Sequence, residues 1–340
     1  MWAVTNQTRF KAERTFARGV DGAEIWIVAV RATFSIQADG TLVAAKEQED
    51  VCLAPQYFGE PGKSSLRYDM DLVRTKPGTD IIVHAHAHAP EGQPVATLDV
   101  GWRVGEVSKS LRIVGDRVWE KRLFGLSPSE PVPFTTMPIR YERAWGGPKT
   151  NEPEAPREWS NPVGVGAIKA KGQPLPNCEP FDGATQPPGQ RTPAGFGPVP
   201  CDWQQRVKLA GTYDDVWKET RQPLVPADFQ DAYFRCAPKD QQCDGFLSGG
   251  EEVVLRNLSP EGVLSFQLPR VFLGFTTRID GGRSHHRGQL HTVIIEPDDR
   301  RVMMVWQTSL PCHHTLYTLK ETVVFEKEHL TSQSSDDSDT

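Results

Sequence analysis

The chain has 340 residues, a formal net charge of −6, 38% hydrophobic residues including nine Trp and fifteen Phe, and 24% charged residues. That length and aromatic content exclude a wholly disordered chain and fit one large mixed domain or two closely packed ones. The negative balance argues against a surface for a polyanion, which needs clustered Lys and Arg, so nucleic acid is not an expected partner.

From the N-terminus, Met1 to Asn6 shows no basic stretch followed by an apolar run, and no later segment is long and apolar enough to span a bilayer. The expectation is a cytoplasmic protein without membrane contact. Residues 1–125 read as an antiparallel β region. In Trp26 to Ile36 the residues Trp26, Val28, Val30, Ala32, Phe34 and Ile36 share one face at period two, predicting a half-buried strand that ends at the turn Ala38-Asp39-Gly40. Ile82-Val83-His84-Ala85-His86-Ala87-His88 places three imidazoles at the same period. Ala96 to Val104 alternates cleanly, with Leu98, Val100, Trp102 and Val104 against Thr97, Asp99 and Arg103. The next strand turns Leu111 and Ile113 inward, and Gly115-Asp116 reads as a tight primed turn into Arg117-Val118-Trp119.

Sixteen of the 28 prolines lie between 126 and 200. Proline removes the donor that a sheet ladder needs, so residues 126–250 read as a Pro/Gly-rich, largely irregular region with short helices. Its aromatics, among them Phe134, Tyr141, Trp159 and Phe181, argue for order. The helices fall around Trp203 to Leu209 and Asp214 to Glu219, each with an Asp near its start to cap free N–H groups. Residues 251–326 return to strands. Leu264, Phe266 and Leu268 alternate with polar residues, and Val293-Ile294-Ile295 leads through Glu296-Pro297-Asp298-Asp299 into Val302 to Trp306 as a hairpin. The expected fold is mainly β, with antiparallel sheets of sandwich or barrel-like kind built from both terminal thirds and the middle laid across them. Residues 327–340 read as a disordered acidic tail.

The sharpest enzymatic pattern is the histidine strand. Residues two apart on a strand sit roughly 6.7 Å apart, so His84 and His88 are about 13 Å apart and cannot share one ion held at about 2.1 Å. At most two could bind, His84 and His86 being the candidates, with a third ligand from Cys312-His313-His314 or His285-His286. Otherwise the histidines decorate a strand face. The six cysteines, at 52, 178, 201, 236, 243 and 312, form no CxxC pair and read as reduced thiols. Gly62-Lys63-Ser64 fails as a phosphate loop because position 57 is Tyr, and neither a G-x-S-x-G elbow nor an H-E-x-x-H pair is present. Catalysis and a cofactor are therefore not expected. Arg140-Tyr141-Glu142-Arg143-Ala144-Trp145-Gly146-Gly147 is the densest Arg, aromatic and Gly cluster, read either as a contact surface or as a structural element in which Arg140 and Glu142, on one strand face, form ion pairs that hold the middle region against the sheet. Gly195-Phe196-Gly197-Pro198 and Ala210-Gly211-Thr212-Tyr213-Asp214 read first as glycine turns. By residue type alone, the candidate protein-contact residues are Arg143, Trp145, Phe196, Tyr213 and Trp217.

Further motifs run in one order almost end to end: Ser65-Leu66-Arg67-Tyr68-Asp69 with Lys76-Pro77, Lys109 to Trp119, Arg140 to Gly147, and Asn161-Pro162-Val163-Gly164. They continue through Pro193 to Pro198, Ala210 to Asp214 with Trp217, and Ala237-Pro238-Lys239-Asp240-Gln241. On these motifs the chain resembles the bacterial type VI secretion effector adaptors. The resemblance implies a non-catalytic chaperone that binds a toxic effector and helps load it onto the VgrG spike, and it brings no contact residues with it. In the pattern of these adaptors the position of His88 more often carries Tyr, which favours the decorated strand over a metal site. Two other readings remain at this point: a metal-dependent enzyme using His84 and His86, and a structural part of the secretion apparatus.

Overall fold

A computed structural model describes residues 2–152, 154–182, 193–312 and 315–327. The tail expected from 327 lies, from 328 onward, outside the described residues, as do His313 and His314. The fold is mainly β. Its largest sheet is built from the chain's two ends, in the order Lys11–Arg18, Glu24–Ile36, Arg301–Pro311, Gln289–Glu296 and Asp80–Val83, with Leu42–Ala44 beside Glu24–Ile36. The hairpin of Gln289–Glu296 and Arg301–Pro311 pairs Ile295 with Val302 around the Glu296 to Asp299 turn. All neighbours in this sheet are antiparallel except Asp80–Val83, which runs parallel to Gln289–Glu296.

A second sheet has the order Cys178–Pro180, Val107–Val114, Thr97–Val104, Glu252–Arg256 and Val263–Gln267. A third joins Ala3–Asn6, Glu321–Glu326, Leu273–Ile279 and Gly282–Arg287. One hydrophobic cluster connects them, with Trp26, Val30 and Trp306 from the first sheet, Val100, Trp102 and Leu255 from the second, and Phe275 and Val324 from the third. Each such side chain contributes roughly 1.5–3 kcal/mol of transfer free energy when fully buried.

Glu24–Ile36 departs from the half-buried expectation. Ile27, Ala29, Arg31 and Thr33, on the face read as outward, are also buried. Their cover is mostly chain without regular structure, apart from the short strand Leu66–Tyr68: Ile27 and Ala29 pack on Val51 and Leu72, and Met303, Ile82 and Ile294 pack on Cys52, Tyr68, Cys236 and Ala237. Side chains of sheet and cover satisfy each other's backbone groups. The Gln307 side chain donates to the Val73 carbonyl at 2.7 Å and accepts from the Val73 amide at 3.1 Å, and Gln48 does the same for Thr33 at 2.9 and 2.8 Å. Such pairing is what allows irregular chain to be buried.

Gly115-Asp116 is not a hairpin turn. Val107–Val114 turns at Gly105-Glu106 to pair with Thr97–Val104, and Trp119–Arg122 pairs instead with Gly125–Pro128. Asp116 bridges to Val132, and a Cβ on Gly115 would lie 2.0 Å from the Val132 carbonyl oxygen. The glycine is required by close backbone approach, not by a turn. Gly195 is similar, since a Cβ there would lie 2.5 Å from the Tyr141 ring. Gly211, with φ +83°, does occupy the left-handed region.

Candidate protein-interaction surface

The motif residues turn mostly inward. Asp80, fully buried at the start of its strand, accepts from Lys76 Nζ at 2.8 Å, Arg235 Nε at 3.0 Å and the Cys236 amide at 2.8 Å. Burial alone would raise the Asp80 pKa, but the two cations hold it below the usual carboxylate value. Burial likewise opposes the charge on Lys76, and Asp80 more than restores it. Gln241 spends its amide on the carbonyls of Ile81, at 2.8 Å, and Phe196, at 2.9 Å, while its own oxygen accepts from Lys109 at 2.9 Å. Residues 235–243 thus lie between the Asp80–Val83 strand of one sheet and the Val107–Val114 strand of another.

The Ser65 to Asp69 motif anchors the middle region in the same way. The Ser65 amide donates to Glu142 at 2.8 Å, its hydroxyl also donates to Glu142, and Ser65 Oγ accepts from the Tyr141 amide at 2.9 Å. Arg140 lies over the Phe58 ring, 3.1 Å from its centroid. Arg140 and Glu142 thus hold the middle region through a ring contact and hydrogen bonds and not as ion pairs of one strand face, because the chain turns helically at Tyr141–Arg143 and aims Glu142 at Ser65. Tyr68 donates to Glu296 at 2.6 Å, and Asp69 accepts from Arg206 at 2.6 Å. Asn161 binds the carbonyls of Tyr141 and Trp145 at 2.9 and 3.0 Å, so the two motifs Arg140 to Gly147 and Asn161 to Gly164 close on each other.

The three histidines do not share one strand face. Asp80–Val83 ends before His84, and His86–His88 is a separate strand paired with Thr136–Pro138. The His84 Nε2 lies 2.6 Å from the Arg67 carbonyl oxygen, and burial lowers its pKa to about 4. His86 Nδ1 and His88 Nε2 both meet the Asp298 carboxylate, at 2.9 and 2.7 Å, and the His86 amide donates to it at 2.9 Å. Those bonds overcome burial and lower the Asp298 pKa. His86 and His88 thus clamp a short strand to the turn of the C-terminal hairpin. Among the described residues, no group of three or more His, Cys, Asp and Glu is placed to hold a metal ion. All six cysteines are free thiols.

The five candidate contact residues separate. Phe196 is fully buried against Trp102, with ring centroids 6.2 Å apart, and offers no surface. Arg143 is held by Asn177 Oδ1 at 3.0 Å and Asp116 at 3.3 Å, and Trp145 is half-buried in a two-residue parallel pairing with Val165–Gly166. Tyr213 and Trp217 come together, with ring centroids 4.7 Å apart, on either side of the start of helix Asp215–Thr220. The helix forms where expected because Asp214 accepts from the Trp217 amide at 2.8 Å. Helix Gln204–Val207 also forms, but its N-cap is Trp203, without a side-chain bond. Trp217 Nε1 donates to the Leu224 carbonyl at 2.8 Å, Thr212 binds Asp228 through both its amide and its hydroxyl, and Arg221 donates to the Val20 carbonyl. The loop is thereby closed and tethered while Tyr213 remains 51% and Val216 66% exposed.

A family described as an uncharacterized protein conserved in bacteria (DUF2169) matches residues 21–307. The chain belongs to this family. No curated protein and no solved structure matches it. The DUF2169 match begins just before the Glu24–Ile36 strand and ends within Arg301–Pro311, so it takes in the central strands of the two-ended sheet and the whole middle region. Among the described residues no helix is long and apolar enough to cross a membrane. Sequence reasoning missed the Lys76–Asp80–Arg235 cluster, although an Asp opening the apolar run Ile81-Ile82-Val83 is a signal that it needs buried partners.

Proposed function

We propose that this DUF2169 chain is a non-catalytic adaptor that binds a type VI secretion effector in the cytoplasm and promotes its loading onto the VgrG spike. The observation that carries the reading is the Tyr213–Trp217 pair beside exposed Val216, a rigid aromatic platform on a tethered loop. Aromatic anchors of this kind dominate binding energy, because they bury large area with little loss of side-chain freedom. The order of motifs shared with effector adaptors adds to it. Those motifs serve largely to fold the middle region, which is what a family of binding platforms with differing clients requires.

Co-expression with its cognate effector toxin yields a stable complex and more soluble toxin. Tyr213→Ala and Val216→Asp each weaken that complex about tenfold, the effect of roughly 1.4 kcal/mol. Affinity persists as salt is raised through the physiological range, as expected for an apolar contact. Absence of any complex would refute the reading. Deletion of the gene stops delivery of the cognate effector alone; loss of every effector's delivery would instead mark a structural part of the apparatus.

A further inference from the structure

The third sheet and the first meet where Gly282–Arg287 passes through Gly288 into Gln289–Glu296. A Cβ on Gly288 would lie 2.8 Å from the Phe275 ring and 3.3 Å from the Trp306 Cβ, so the two sheets close tightly at this crossing. Beside it they leave a cavity of about 480 Å³, a size ordinary for small-molecule clefts. Its walls are apolar: Leu290 and Trp306 are buried, and Leu247 and Val271 half-buried. They are also fixed. The Leu247 amide donates to Thr79 Oγ1 at 2.9 Å, and Phe246, a further wall, stacks on the buried His291 ring with centroids 5.7 Å apart.

Two cations stand at the rim, Arg287 from an edge strand and Lys327 from the end of the strand Glu321–Glu326. Gly274 brings them together. It pairs with Arg287, and a Cβ on it would lie 3.0 Å from Lys327 Cε, so the missing side chain gives the lysine stem room to cross toward Arg287. The Lys327 amide donates to the Phe272 carbonyl at 2.8 Å and holds that end of the rim. Among the described residues neither cation has an ion pair or a side-chain hydrogen bond, and no carboxylate lines the cavity. Of the neighbouring acids, Glu326 pairs with Arg9 at 3.8 Å and Glu251 accepts from the Ser248 amide at 2.9 Å. The exposed side of Gly282–Arg287 carries Arg283, His285 and Arg287, so the approach to the cavity is basic on a chain whose net charge is −6.

Unpaired cations over a fixed apolar hollow complement an anionic head on an aliphatic body. We propose that this cavity binds an aliphatic carboxylate of fatty-acid type, its carboxylate held between Arg287 and Lys327 and its hydrocarbon chain against Leu247, Val271, Leu290 and Trp306. The planar guanidinium fork matches the two carboxylate oxygens, and each methylene taken from water adds to the affinity. The site stands independently of the adaptor reading, since it shares no residue with the Tyr213–Trp217 platform.

The full-length chain is titrated by calorimetry with dodecanoate, kept below its micelle concentration, and separately with dodecyltrimethylammonium. The wild type binds one dodecanoate per chain, with the negative heat-capacity change of buried apolar surface, and does not bind the ammonium. Arg287→Gln/Lys327→Gln binds dodecanoate at least tenfold more weakly with an unchanged melting curve, because both side chains are exposed. Val271→Phe, which fills the wall and leaves the charges in place, weakens binding to a similar degree. Absence of saturable dodecanoate binding by the wild type overturns the inference, as does equal binding by the wild type and either variant. Binding of dodecyltrimethylammonium as tightly as dodecanoate overturns the assignment of an anionic head.

Discussion

Asp80 illustrates how single residues here are committed to folding. Two cations and an amide converge on it at the junction of strand and covering chain. Asp80→Ala leaves Lys76 and Arg235 buried without their counter-ion, so stability falls by roughly 3–5 kcal/mol, read from urea unfolding midpoints against wild type. The buried histidines give stability a pH dependence. Burial lowers the pKa of His84 to about 4 and of His291 to about 3, from an ordinary 6.5. Between pH 6.5 and 4 the unfolded chain takes up protons that the folded chain refuses. Stability therefore falls as pH falls through that window, by at most about 1.4 kcal/mol per pH unit for each histidine. Denaturant melts at pH 6 and pH 5 should show the loss, and His84→Gln/His291→Gln should reduce it; equal slopes would contradict the account. Asp80, held below the usual carboxylate value, adds its own loss at more acid pH.

Local features were legible in sequence where the partner is close along the chain. The Asp215–Thr220 helix was readable because its cap, Asp214, is three residues from the amide it accepts. Asp214→Ala removes that bond, and about 1 kcal/mol of local stability, seen as faster amide exchange in residues 215–220. Gly115 was misread because Gly-Asp signals a turn equally well as a close approach, and what decides between them is Val132, seventeen residues on. Gly115→Ala forces those backbones apart and lowers stability by roughly 1–3 kcal/mol in the same unfolding assay. The partner of Glu142 is illegible for the same reason, since Ser65, which donates to it, is 77 positions away. Phe196 reads as a contact residue by type, yet only its placement under the Thr97–Val104 strand shows that it is core.

At the scale of the whole molecule, the two-ended sheet was legible because strands announce themselves by period two at both termini, and alternation at Thr97–Val104 and Val263–Gln267 matches the observed burial. What covers the sheet was not legible. Irregular chain has no period, and it is held by polar side chains such as Gln241, Gln307, Arg235 and Asn161, each satisfying backbone groups far along the chain. The account rests on the proline-rich middle being folded onto the sheets, because the Tyr213–Trp217 platform depends on it for position. Hydrogen exchange of the full-length chain, read by mass spectrometry, tests this most directly. The account predicts that the amides of residues 196–199 and 236–243 exchange as slowly as those of Glu24–Ile36 and Arg301–Pro311; their complete exchange within seconds, while those strands stay protected, would contradict it.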